Sequence, residues 1–267
     1  MEIAANDWTA VIDVERGGRI ASLRVGHTEV LVGPGDHPML WGCFLMAPFA
    51  GRIGHGRFRF PWPDGPLHTL ECNLPPHAIH GVGFDRPWHR HDDGSITCDL
   101  SPRWPMRGTL RQWFEAGDDS LTTHVEAYAV EAMPFTVGWH PWFAKPCTLE
   151  FTPGRMYERS PEQLPTGRLI APVPRPWDDC FIDPVADPVV RFDSGLAVMV
   201  SSTCDHWTIY DEQEHGLCVE PQSGPPDAVN LGQADVIAAG DTVHHSMTLS
   251  WTHDASARSA RPGRYPR

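Results

Sequence analysis

Four stretches of this 267-residue sequence set ionisable side chains among residues that stiffen the backbone. "APFAGRIGHGRFRF" (47–60) is a glycine-spaced turn carrying Arg52, and "PPHAIHGVGFDRPW" (75–88) holds His77 and His80. "FTVGWHPWF" (135–143) sets His140 between aromatic rings and fixes the next residue as Pro141. "LCVEPQSGPPDAVN" (217–230) ends an apolar run on one carboxylate, Glu220, and then breaks the chain with Pro221, Pro225 and Pro226. Each has an ordinary explanation alone: an arginine in a surface turn, a turn histidine, an aromatic cluster, a solvated acid at a strand end. Together a basic residue, histidines and a carboxylate on rigid segments are the parts of a preorganised acid–base site. Aromatic rings beside such groups suit a polyhydroxylated ligand, whose C–H face stacks while its hydroxyls seek Arg, His and carboxylate partners.

The elements that must position these groups read as strands. "WTAVIDVERGGRIASLRVGHTEVLVG" alternates β-branched runs with turns at Gly17–Gly18 and Gly26–His27. In "SLTTHVEAYAV" Leu121, Thr123, Val125, Ala127 and Ala129 alternate with Thr122, His124, Glu126, Tyr128 and Val130, which is the period of a half-buried strand. Similar runs recur along the chain, and 27 prolines with 24 glycines suit many short strands joined by turns. No stretch shows sustained helical periodicity, and "ERSPEQLPTGRLIAP" has room for one helical turn at most. Neither a linker nor a repeat divides the chain. The expectation is therefore one antiparallel all-β domain over residues 1–253, a sandwich or barrel, with a disordered arginine-rich tail at 254–267.

Composition narrows the partners. A formal net charge of -13 opposes binding to nucleic acid or anionic membranes. Seven dispersed cysteines without a C-x-x-C pair read as reduced thiols. With no signal-like N-terminus and no apolar stretch of about 20 residues, a cytoplasmic location is expected.

In this order the four segments resemble the aldose 1-epimerase (galactose mutarotase) family over about residues 10–250. "GRI" matches the family's N-R-I turn at Arg52 and Ile53, with Gly51 in place of the usual Asn. "HAIHG" matches its H-x-x-H-G segment, and "HPWF" the H-x-[YW]-F context of its catalytic histidine. "WDDCF" corresponds to its sugar-contacting aspartate, with Asp178 aligning best and Asp179 as near rival. "EPQSGPPDAVN" matches E-x-Q…P-D-A-x-N at Glu220, Gln222, Pro226, Asp227, Ala228 and Asn230.

The resemblance implies a β-supersandwich with a groove on one curved sheet, a monosaccharide substrate, most simply a hexose, and no metal or other cofactor. It implies exchange of α- and β-anomers by opening the hemiacetal, with Glu220 as base and His140 as acid. Arg52, His80 and Asp178 would hold the sugar. An imidazole near its ordinary pKa of ~6.5 would be partly protonated at neutrality. The chain would act as a monomer or homodimer. Three other readings remain open. A phosphorylated or otherwise anionic hexose would need cations near C6, for which Arg57, Arg59, Arg86 and Lys145 are candidates. An inactive sugar-binding protein of the same fold is the second. A metal-dependent cupin is the third, suggested by "GFDRPWHRH" (83–91) but lacking the glutamate expected after the H-x-H pair.

Overall fold

The computed structural model describes residues 1–253; the expected tail at 254–267 lies outside the described residues. Two large antiparallel sheets carry the chain. The first has eleven strands, and at its centre Cys43–Met46, Gly138–Ala144, Gly216–Gln222, His206–Tyr210 and Asp178–Ile182 lie side by side. The second has eight, with Gly108–Gly117, Ser120–Ala129, Thr242–His253 and Leu196–Ser202 adjacent.

The strand Ser120–Ala129 buries Leu121, Thr123, Val125, Ala127 and Ala129 and turns Thr122, His124, Glu126 and Tyr128 outward, as its period predicts. Between the sheets Trp8 meets Trp251 edge-on at 5.2 Å, and in the same core Trp104 stacks on Phe58 of the short strand Arg57–Arg59 at 4.9 Å. Two central strands of the first sheet behave differently. All seven residues of Gly216–Gln222 are buried, as are six of the seven in Gly138–Ala144. One face of these strands meets the core while the other is roofed by loops, so a polar residue placed there sits away from bulk water without entering the core.

Among the described residues helix is confined to a single turn at Ala228–Leu231 and a 3-10 turn at Gly54–Gly56. The helical turn allowed for in 158–172 does not form. That segment pairs as the strands Arg155–Arg159 and Pro165–Ile170, because sheet pairing offers its backbone more partners than one isolated turn would. No helix among the described residues is long and apolar enough to cross a membrane.

Candidate active site

Strand register assembles the floor of the site. Phe44 lies opposite His140, and Glu220 opposite Thr208, which in turn faces Cys180. Gly138 pairs with Gln222 and Trp142 with Cys218, which sets His140 opposite Glu220. Directly opposed residues project to the same face. Phe44, His140, Glu220, Thr208 and Cys180 therefore form one row across five strands, and Trp142, Cys218, Tyr210 and Asp178 form the row beside it. Above them opens a cavity of about 310 Å³, whose lining includes Arg52, His80, His140, Asp178, Glu220 and Gln222.

His140 Nε2 lies 3.2 Å from Glu220 Oε1, with both side chains almost fully buried. Gln222, two residues on and on the same face, donates from Nε2 to Glu220 Oε2 at 3.1 Å and to Thr208 Oγ1 at 3.0 Å. The His140 ring is sandwiched between Phe44 at 4.6 Å and Trp142 at 5.4 Å, and His80 meets it edge-on at 4.9 Å.

Burial dominates the electrostatics. It pushes the Glu220 carboxyl well above the ordinary range, with the Asp178 charge adding to it and the Gln222 hydrogen bond and Arg52 opposing it. Burial likewise drives His140 down to about 3, aided by the Arg19 charge. His80 falls well below its usual value through burial, His140 and Arg52. In place of the partly protonated imidazole expected at neutrality, burial favours a neutral imidazole beside a carboxyl that holds its proton. Desolvation penalises the charged form of each partner, so the resting pair is uncharged, with the proton on the carboxyl side.

Loops place the remaining side chains. Arg52 belongs to a two-residue strand paired with Ala78–Ile79, and its Nη2 reaches Asp178 Oδ2 at 3.3 Å. Asp178 is also held by Arg159 at 3.0 Å and lines the cavity, whereas its rival Asp179 does not line it and lies 3.5 Å from Arg159 Nε. His77, the other histidine of "HAIHG", is tied to the carbonyl of Glu162 and the amide of His55, outside the cavity lining. The "PPDAVN" segment acts as a brace. The Asp227 amide donates to the Arg52 carbonyl at 2.6 Å, and its Oδ1 accepts from the Gly54 amide at 2.9 Å and from Asn230 Nδ2 at 2.7 Å. Gly51, where the resemblance expects Asn, has φ +64, and a Cβ there would come within 2.8 Å of the Pro226 ring.

His80 is held at φ +63, unusual for a residue with a side chain, and Gly81 follows at φ +75. A Cβ on Gly81 would sit 2.1 Å from the Ala47 carbonyl oxygen. Gly81→Ala should therefore cost more than ~2 kcal/mol through clash and left-handed strain and displace His80. Thermal denaturation reads the first effect and ligand affinity the second; a wild-type melting curve would remove this account of the turn.

Phe44, Trp142 and Gln222 complete the site, and the sequence reading assigned them no part in it. The E-x-Q spacing was the available signal for Gln222, since strand alternation puts positions 220 and 222 on one face. As for metals, His140, Cys218 and Glu220 present ligand atoms within 4.8 Å of one another and are the trio that could hold an ion among the described residues. The H-x-H pair of the cupin reading, His89 and His91, has rings 4.8 Å apart, and both residues are exposed and distant in register from this row.

Comparison with known proteins agrees with this architecture. The chain is 30% identical over 243 residues to the uncharacterised Escherichia coli K12 protein YphB, covering 78% of this chain and 82% of that one. A galactose mutarotase-like protein from Clostridium acetobutylicum superposes with a TM-score of 0.82 at 17% identity, covering 95% of each chain. A GalM/aldose epimerase homologue from C. elegans superposes with a TM-score of 0.78 at 17% identity, covering 95% of this chain and 98% of that one. The aldose 1-epimerase family model matches residues 2–250, and the chain belongs to that family, with the galactose mutarotase-like fold.

Proposed function

We propose that the protein is an aldose 1-epimerase that exchanges the α- and β-anomers of a free, uncharged aldose. One observation carries this reading: the 3.2 Å contact between His140 Nε2 and Glu220 Oε1 at the floor of the cavity. Opening a hemiacetal takes a proton from the C1 hydroxyl and gives one to the ring oxygen. Both oxygens are bonded to the same carbon, so the groups serving them must be neighbours. A pair sharing one proton supplies one base and one acid at any pH where that count holds. In the reacting form Glu220 takes the hydroxyl proton while His140 protonates the ring oxygen. After rotation about C1–C2 the transfers reverse and the ring closes on the other face.

Arg52, His80 and Asp178 line the cavity around this pair, which supports a part for them in holding the sugar hydroxyls. His80 Nδ1, His140 Nδ1 and Gln222 Oε1 are buried without a hydrogen-bond partner, and a hydroxylated ligand offers such partners. The volume falls at the low end of the ~300–1,000 Å³ typical of small-molecule sites.

Charge around the cavity favours a neutral substrate over a sugar phosphate. Arg52 is already paired with Asp178, and Glu212 adds a carboxylate to the lining. The candidate cations are outside that lining. Arg59 binds the Gly65 carbonyl, Arg86 the Cys98 sulfur and Lys145 the Asp211 carbonyl, while Arg57 is exposed on its own strand.

Exchange NMR on a panel of α-aldoses and one hexose 6-phosphate tests the proposal. Catalysed exchange is expected for at least one neutral hexose and not for the phosphate. Tight binding without exchange would replace it by the inactive sugar-binding reading.

A further inference from the structure

Arg19 is 1% exposed, yet no carboxylate lies within ion-pair distance of it among the described residues. Its guanidinium donates instead to backbone carbonyls: Nε to Arg16 at 2.7 Å, Nη1 to Pro38 at 2.6 Å and Trp41 at 3.0 Å, and Nη2 to Phe84 at 2.6 Å. Burial lowers its pKa to about 10, so the charge persists at neutrality. A fixed cation buried without a counter-ion is costly, which makes its position informative.

Two features of that position bear on the acid–base pair. First, the carbonyls belong to segments that wall the cavity. Pro38 and Trp41 flank Met39 and Leu40, which line it, and Trp142 Nε1 donates to the Met39 carbonyl at 2.8 Å. Phe84 follows the His80–Gly81 turn, and its ring packs on Phe44 at 5.4 Å. Second, the guanidinium begins a stack that ends on the reacting imidazole. Arg19 lies between Trp41, at 4.1 Å, and Phe44, at 5.0 Å; Phe44 stacks on His140, and His140 on Trp142. The aromatic faces favour the cation, and Phe44 keeps water from between it and His140.

We propose that Arg19 is a positioning residue for the reaction, clamping the two segments that wall the cavity and holding a permanent positive charge behind His140. This rests on the acid–base reading of the site. The charge discourages a second proton on the His140–Glu220 pair, keeping the one-proton state populated into acid. The other groups facing His140 are Glu220 and Cys218 from the neighbouring strand, His80 from its turn, and Arg52 and Asp178 across the cavity. Each keeps its identity when Arg19 is replaced, so the charge behind Phe44 is the one that is removed.

Arg19→Lys and Arg19→Met separate the two roles. Lysine keeps the charge but cannot reach all four carbonyls: KM should rise several-fold while the pH profile stays put. Methionine removes both: KM should rise and the acid limb of kcat/KM should move upward by roughly one pH unit. His140 titration followed by NMR should move in the same direction, and it reads the charge without any activity, so a failed mutarotase assignment would be recognised separately. If Arg19→Met does not fold, Trp41→Leu opens the guanidinium to water and should give a smaller shift of the same sign. A folded Arg19→Met with wild-type KM and wild-type His140 titration would overturn the proposal. In the fallback, wild-type KM in Arg19→Lys together with an unmoved titration in Trp41→Leu would do the same.

Discussion

Glu220→Gln should lose mutarotation by roughly 10²–10⁴-fold and at the same time become more stable at neutral pH. The amide preserves shape but cannot exchange a proton with the C1 hydroxyl, so anomer exchange falls toward the uncatalysed rate. The gain in stability follows from burial. Glu220 holds its proton more tightly folded than unfolded, so above the ordinary carboxyl pKa of ~4.3 the folded state binds more protons than the unfolded one. Stability is then fully present at low pH and declines as pH rises toward the folded pKa. Gln removes that decline, which gives the variant a melting temperature a few degrees above wild type at pH 7–8 and little advantage at pH 4. Polarimetry and paired melting curves check both halves. An active, destabilised variant would mean that the carboxylate is neither the base nor a group held against its own desolvation.

His140→Gln should show a comparable loss of rate with the opposite pH signature. The imidazole is pushed down to about 3 by burial, so between about pH 3 and ~6.5 the unfolded state gains a proton that the folded state does not. Wild-type stability therefore falls through this window on acidification, and the variant is spared that loss. The pH-dependent part of the difference is about 2 kcal/mol at pH 5 and vanishes at pH 8; lost stacking against Phe44 and Trp142 adds a constant penalty. The same direction fixes the wild-type rate profile. Because the pair takes its second proton far below the usual histidine range, kcat/KM should stay flat through pH 6–7. An inflection near pH 6.5 would show that the reacting imidazole is more hydrated than its surroundings imply.

Much of this was legible in the residues. Period-two patterning in 121–130 located a half-buried strand, and the grouped Arg, His and carboxylate segments marked the chain positions that line the cavity. "PPDAVN" was conspicuous, but its work is mechanical: Asp227 and Asn230 brace the Arg52 turn. The choice between Asp178 and Asp179 needed register, since adjacent residues on a strand point to opposite faces and only pairing with Tyr210 and Cys218 says which faces the cavity. Arg19 was unreadable for a related reason. Its partners lie up to 65 residues away, and "GGRI" alone looks like any turn. The imidazole's protonation was misjudged because a reference value presumes water, and the roofing of the central strands is a tertiary property.

The brace and the floor have different owners. Glu220 and His140 ride on interior strands whose partners flank them on both sides, while Arg52, His80 and the Pro38–Trp41 segment belong to loops and two-residue ladders. On the proposed function, the rim, and with it the choice of sugar, is therefore free to change by insertion or substitution while the strands beneath keep the Glu220–His140 pair in place.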